Sequence, residues 1–476
     1  MTRSTALQLA RDHIDSGRFF SDLQRRVACR TESQGGSVDV LEAYLSGELV
    51  PALAAMGFRT RTVCHSGAGG EGRFLVAHRV EDPALPTVLM YGHGDVVRGY
   101  DNQWREGLNP WVLTAEGDRW YGRGTADNKG QHSINIAALA CVLEARHGTL
   151  GLNIRMLIDM GEESGSPALP EVCRDLQEEL AADLFLASDG PRLAATRPTV
   201  FLGSRGIVNF ELAVRLREGG FHSGNWGGLL RNPATTLAAA LHCLVDGNGV
   251  IQVPQLRPHA VPAAVRRALT DIHVGGDPGD PSIDSGWGEP GLSPEERVFA
   301  WNSLEVLAMK SGNPEHPVNA IPPSAIAYCQ LRFVVGTAWE QLGDFLRAHL
   351  DAHGFGMVDI KVARGAPATR LSPDDRWVRW AVRSIDSTTG KPTAILPNLG
   401  GTLPNDVFAQ ILGLPTVWVP HSYPACAQHA ANEHLLASVA REGLQIMAGL
   451  FWDLGEPDAP QRVVPGTSTS TQPATP

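Results

Sequence analysis

The 476-residue chain predicts an α/β fold, a mostly parallel mixed sheet flanked by helices and interrupted by a smaller ferredoxin-like α+β domain. Three observations predict it. Within residues 1–204, short apolar runs that end in polar residues alternate with helical segments. Over 205–368 the order becomes strand, helix, two strands, helix, strand, and over 369–455 the first pattern returns. A chain of this length also exceeds one ordinary core, so two domains are expected.

In chain order, residues 38–56 place apolar side chains at helical spacing, and FRTRTVC and RFLVAHRV read as short strands. Three apolar bursts follow: TVLMYGHGD at 87–95, LNIRMLIDMGEES at 152–164 and DLFLASDG at 183–190. A helix over 132–148 lies between the first two. Such bursts suit parallel strands buried on both faces, whose carboxyl ends gather functional residues. Then GIVNFELAVRLR alternates as a strand, PATTLAAALHCLV reads as a helix, and SLEVLAMKSG and AIAYCQLRFVVG are strands. AWEQLGDFLRAHLDAHG and MVDIKVARG complete a β-α-β-β-α-β order, the split pattern of a small sheet with helices on one face. The Pro- and Gly-rich stretch 252–295 is too long for a usual loop and is expected to be an insertion near a functional surface. PTVWVP is a further strand and HLLASVAREGLQIMAGLFWDL a closing helix, while 456–476 has the composition of a disordered tail.

Composition narrows the function classes. With 43% hydrophobic and 19% charged residues the chain is an ordinary globular mixture. A net charge of −11 without a basic stripe argues against nucleic acid or an anionic membrane as partner. Seven scattered cysteines (29, 64, 141, 173, 243, 329 and 426) form no C-x-x-C pair and read as reduced thiols of a cytoplasmic protein. The first residues read as a helix start rather than a signal peptide, and no run approaches the ~18 apolar residues of a membrane helix. GAGGEGR and VGGDPGD lack the strand-to-helix setting of a nucleotide loop, and no G-x-S-x-G elbow offers a serine nucleophile.

The chemistry lies at the strand ends. His93 and Asp95, Asp127 in GRGTADNKG, Glu162 and Glu163, Asp189 in ASDG, and the distant His429 supply the oxygen and nitrogen donors a divalent cation needs from several elements. Each alone is an ordinary polar residue; together they form one consistent set.

The ordered series H-x-D, G-R-G-x-x-D-x-K-G, E-E-x-G-S, S-D-G and a late H-x-x-N-E resembles the M20 family of metallopeptidases, over residues 10 to 455. That family includes carboxypeptidase G2, aminoacylases, succinyl-diaminopimelate desuccinylase and carnosinase-like dipeptidases. The resemblance implies two divalent ions, Zn2+ first and Mn2+ or Co2+ as alternatives. Asp127 would bridge them, His93 and Asp189 would hold one, and Glu163 and His429 the other. It implies Glu162 as general base and Asp95 as the carboxylate that orients the His93 ring.

Three segments bear on the substrate. FHSGNWGG is similar to the carnosinase-like branch, where the matching histidine, here His222, reaches the partner subunit's site from the inserted domain. This implies a homodimer and a catalytic role for His222, with the inserted domain acting as lid and dimerisation domain. Asn319 and Arg332 match the family's substrate-contacting strand, and a guanidinium suits a carboxylate. LGGTLPND resembles the G-G-S-I-P loop, with Gly400, Gly401 and Thr402 facing substrate. Two departures concern specificity: Gln330 replaces an acidic residue, and Asn398 and Leu399 precede the glycines. The expected activity is a dipeptidase acting on small peptides. An N-acyl amino-acid deacylase is the alternative within enzymes, and a non-catalytic metal-binding scaffold the alternative outside them.

Overall fold

The computed structural model describes residues 2–276 and 281–460. They form two compact units, the first comprising the described residues within 1–189, 379–391 and 426–476. The second is Gly190–Val378 with Pro392–Ala425, a wider span than the 205–368 expected for the insert.

In the first unit the sheet contains β1 (Arg59–Gly67), β2 (Gly70–Arg79), β3 (Thr87–His93), β4 (Asn153–Asp159) and β5 (Leu184–Ala187). Their spatial order is β1-β2-β4-β3-β5. β1 and β2 form an antiparallel hairpin, β2 is antiparallel to β4, and β3 runs parallel to both β4 and β5. β3, β4 and β5 are buried almost without interruption, whereas exposed positions recur along the edge strand β1. Continuous burial is what strands covered on both faces require.

One layer of that cover is helix Lys129–Ala145, which is apolar nearly all round and buried along its length. It begins three residues before the expected 132 because its polar first turn is swallowed rather than exposed. Lys129 Nζ donates to the carbonyls of Arg26 (2.9 Å) and Cys29 (2.6 Å), and Gln131 to that of Ala126 (2.9 Å). Helices Arg3–Asp15 and Ala437–Leu454 pack against it. The closing helix is shorter than expected, since His434–Leu436 is a strand paired with Arg119–Tyr121. Of the expected tail, 461–476 lies outside the described residues, and 456–460 makes turns that bury Ala459.

The second unit contains the β-α-β-β-α-β pattern. β6 (Gly206–Arg215), β7 (Ser303–Ser311), β8 (Ser324–Phe333) and β9 (Val358–Val362) form an antiparallel sheet in the order β7-β8-β6-β9. Helices Pro233–Leu244 and Leu342–Ala352 share one core with it. The stretch 252–295, expected to be an insertion near a functional surface, packs part of itself into the interior: Val253, Leu256, Val265 and Ile272 are buried. It ends at helix Pro294–Ala300, started by a Ser293–Glu296 capping box. Residues 277–280 of that stretch lie outside the described residues. Three short strands, Thr199–Phe201, Ala394–Leu396 and Thr416–Trp418, pair within this unit. Among the described residues, no helix is long and apolar enough to cross a membrane.

Candidate metal centre

His93 is the last residue of β3, Glu162 follows β4 by three residues and Asp189 follows β5 by two. Parallel strands therefore deliver three side chains to one end of the sheet. The His93 ring is fully buried, its Nε2 lying 2.9 Å from Asp127 Oδ1 and 3.6 Å from Asp189 Oδ2. His429 Nε2 lies 2.9 Å from the other Asp127 oxygen, Oδ2, and 3.1 Å from Glu163 Oε2. Asp127 is thus shared by two three-residue groups, His93–Asp127–Asp189 and Asp127–Glu163–His429. Within each, donor atoms lie within 4.8 Å of one another.

Asp95 has a wider reach than its expected task. Its carbonyl oxygen and Oδ1 lie 3.0 and 3.3 Å from His93 Nδ1, which directs Nε2 at Asp127. Its two carboxylate oxygens also accept the backbone N–H groups of Glu162 and Glu163, each at 3.1 Å. One buried carboxylate fixes a ring and the turn that carries both glutamates.

Glu433 does the same for Asp127. It is fully buried and accepts from Arg123 Nη1 (2.7 Å) and from the backbone N–H groups of Gly124, Ala126 and Asp127 (2.8–3.1 Å). The sequence shows Glu433 only as a letter in H-x-x-N-E; the donors it gathers lie some three hundred residues earlier. Gln428 was also missed, and its amide donates to Asp127 Oδ2. Its position next to His429 was the available signal. Ala427, His429 and Asn432 all adopt positive φ (57°, 61° and 63°). Non-glycine residues in that region store strain that neighbours must hold, and Asn432 is tied by the Arg105 N–H.

The electrostatics are those of crowded carboxylates around two rings. Hydrogen bonds to Asp127 and Glu163 push His429 up to about 11. Burial works against the charged form of His93, but its bonds to Asp127 and Asp95 outweigh this and raise it well above the usual imidazole range. Burial also acts on Asp127, yet His429 and His93 hold its carboxyl well below the usual range. Glu162 is raised well above an ordinary carboxyl, first by burial and then by Asp189 and Asp127, with His93 opposing. Two imidazoles and five acidic groups in so small a volume balance when divalent cations join them, so the donor set fits a metal.

The remaining expected residues lie in the second unit. His222 is exposed and pairs through its backbone with Ala320, next to Asn319, whose carbonyl accepts the Ser223 N–H at 2.9 Å. Arg332, on β8, donates from Nη1 to Thr402 Oγ1 and from Nε to Gln330 Oε1, both at 2.9 Å. Gln330 thereby positions the guanidinium without neutralising it. Asn398 is buried and bonds the carbonyls of Ser204 and Thr369, a structural task. Neither Gly400 nor Gly401 has a positive φ, and an added methyl would meet nothing closer than 3.4 and 3.7 Å. Turn geometry therefore does not demand these glycines. Arg205, just before β6, was not foreseen. Its Nε donates to the Gly400 carbonyl at 3.0 Å, and burial with the neighbouring Arg332 charge lowers it to about 10. An arginine at the mouth of a strand was the signal.

Comparison with known proteins shows the family and the fold. The profile of peptidase family M20/M25/M40 matches residues 89–453. A Beta-Ala-His dipeptidase of Mus musculus is 35% identical over 405 residues, covering 80% of each chain. A cysteinylglycine-S-conjugate dipeptidase of Corynebacterium striatum is 28% identical over 70% of this chain and 73% of its own. In structure, human carnosine dipeptidase 1 superposes with a TM-score of 0.74 at 24% identity, over 96% of this chain and 99% of that one. The chain belongs to peptidase family M20/M25/M40 and is a metal-dependent peptidase.

Proposed function

We propose that the protein is a dipeptidase that holds two divalent cations, Zn2+ first among them with Mn2+ or Co2+ able to substitute. His93 and Asp189 would hold one and Glu163 and His429 the other, with Asp127 common to both donor groups. The observation that carries this reading is the Asp127 carboxylate, which meets a different histidine on each of its oxygens, both at 2.9 Å. The names of the Mus musculus and Corynebacterium striatum relatives, both dipeptidases, support small peptides as substrates.

When bound, the cations polarise the scissile carbonyl and make water a better nucleophile. Glu162 takes the proton from the attacking water and returns it to the leaving nitrogen, a role suited to a carboxyl raised by burial. Asp95 keeps the His93 ring and the Glu162–Glu163 turn in register during that exchange. Arg332, positioned by Gln330 and Thr402, grips the substrate carboxylate, with Asn319, Gly400 and Gly401 completing the pocket. His222 acts from the partner subunit of a homodimer built on the 205–368 insert, polarising the carbonyl. The protein works in the cytoplasm, without nucleic acid or membrane.

The test is to strip the protein with a chelator, reload it with zinc, manganese or cobalt, and assay it against matched dipeptides and N-acyl amino acids. Restored dipeptide turnover that Glu162→Gln abolishes supports the proposal. Turnover of acyl amino acids alone would replace it with a deacylase, and none on either class would leave a metal-binding scaffold.

A further inference from the structure

Away from the shared-carboxylate cluster, the second unit gathers another set of donors of different chemistry. Cys243 lies in the last turn of helix Pro233–Leu244, and His349 and His353 lie on and just beyond helix Leu342–Ala352. One ligand atom from each lies within 4.8 Å of the others. The two histidines are spaced i, i+4, so their rings share one helix face, with centroids 4.3 Å apart. His349 and Cys243 are half-buried and His353 is exposed, which leaves the group a route to solvent.

We propose that Cys243, His349 and His353 form a separate site for a thiophilic divalent cation such as Zn2+, tying the two helices of the four-stranded sheet together. A sulfur and two imidazole nitrogens select zinc-type ions over magnesium or calcium, and three protein donors leave the fourth tetrahedral position for water. Both rings are already held. His349 Nε2 lies 2.7 Å from the Cys243 carbonyl, and His353 Nδ1 lies 2.8 Å from the His349 carbonyl. In the neutral ring such a bond uses one nitrogen as donor and leaves the other its lone pair, the orientation that metal-bound histidines commonly receive from backbone carbonyls. The thiol now donates to the Ala240 carbonyl at 3.0 Å. A cation replaces that proton, so loading weakens as pH falls. Beneath the site the helices bury Leu244, Leu346 and Leu350 in the common core, so the ion would clamp elements already packed.

Cobalt separates this site from the other cluster, whose candidate ligands include no sulfur. Reduced, full-length protein loaded with Co2+ is expected to show a thiolate-to-cobalt charge-transfer band in the near ultraviolet. Cys243→Ser should abolish the band and lower bound metal by one ion per chain, and His353→Ala should weaken it. Cys64→Ser, which alters an exposed thiol elsewhere, and Asp127→Asn should both keep it. Dipeptide turnover of Cys243→Ser should match wild type, confirming that the variant folds. Absence of the band in wild type at saturating cobalt overturns the proposal, as does a band that survives Cys243→Ser.

Discussion

Around Asp127 three parts of the site are held by a second buried carboxylate: His93 by Asp95, the Glu162–Glu163 turn by Asp95 again, and the Gly124–Asp127 loop by Glu433. Around Arg332 the holders are neutral and only partly buried, namely the Gln330 amide and the Thr402 hydroxyl. A buried carboxylate that collects several N–H donors tolerates no replacement, because each donor would be left unpaired. A guanidinium held by an amide and a hydroxyl keeps its charge for a ligand and can be retuned by changing its neighbours. The first region is built to keep one chemistry, the second to vary what it grips.

The comparison breaks most easily at Glu433. Glu433→Ala removes the partner of buried Arg123 and orphans three backbone donors, so a loss of about 3–5 kcal/mol is expected. Urea unfolding reads the stability, and metal analysis reads whether the Asp127 loop keeps its cations. Full metal content at wild-type stability would show that the Asp127 loop does not depend on Glu433.

Asp159 gives the next largest effect, and it is a pH effect. This carboxyl, at the end of β4, accepts from Tyr91 Oη (3.3 Å) and the Gly161 N–H (2.8 Å). Burial first, and then the charge of Asp95, raise it from 3.8 to about 7. Between those values the folded chain binds more protons than the unfolded one, so its contribution is intact below pH 4 and is lost as pH rises toward 7. The shift corresponds to roughly 4 kcal/mol. In chelator-treated protein, Asp159→Asn should flatten the fall in urea midpoint between acid and neutral pH. Equal slopes for variant and wild type would mean that Asp159 ionises freely inside the fold.

The two regions also differ in how far sequence reveals them. The strand-end donors were legible because apolar runs ending in His, Glu or Asp announce their own position on the sheet. Nothing local announces Glu433, whose donors belong to a loop far away in the chain, or Gln428, which touches Asp127 only once the strained Ala427–Asn432 segment has folded. The early start of helix Lys129–Ala145 was hidden for a related reason: its polar first turn looks solvated until Arg26 and Cys29 offer their carbonyls. Strand His434–Leu436 continues straight into a helix, and three apolar-flanked residues carry too little periodicity to separate the two. In the second unit the alternation along β6 and β8 was clear, but side-chain bonds such as Arg205 to Gly400 depend on residues 195 apart.

Arg332 tests the second region directly. If it grips a substrate carboxylate, Arg332→Ala should raise KM by about 10- to 100-fold, the worth of a charged hydrogen bond, while bound metal stays at the wild-type level. Arg332→Lys should recover part of the loss, since an ammonium keeps the charge but not the planar fork. A fall in metal content would mean that the two regions are not independent.

The smallest effect is expected at Gln330. Gln330→Glu would place a carboxylate on Arg332 Nε, where the amide oxygen now accepts at 2.9 Å. The fold has a ready response. Gln330 Nε2 now donates to Asn209 Oδ1 at 3.0 Å, and the exposed Asn209 amide can turn over to donate to the new carboxylate. Stability should therefore hardly change. The new charge would compete with a substrate carboxylate for the guanidinium, so KM should rise a few-fold, about 1 kcal/mol at a half-exposed ion pair, with kcat and metal content unchanged. A lower KM would reverse the argument: the amide would then be a weaker positioning group than an acid, and charge on Arg332 would matter less than its alignment.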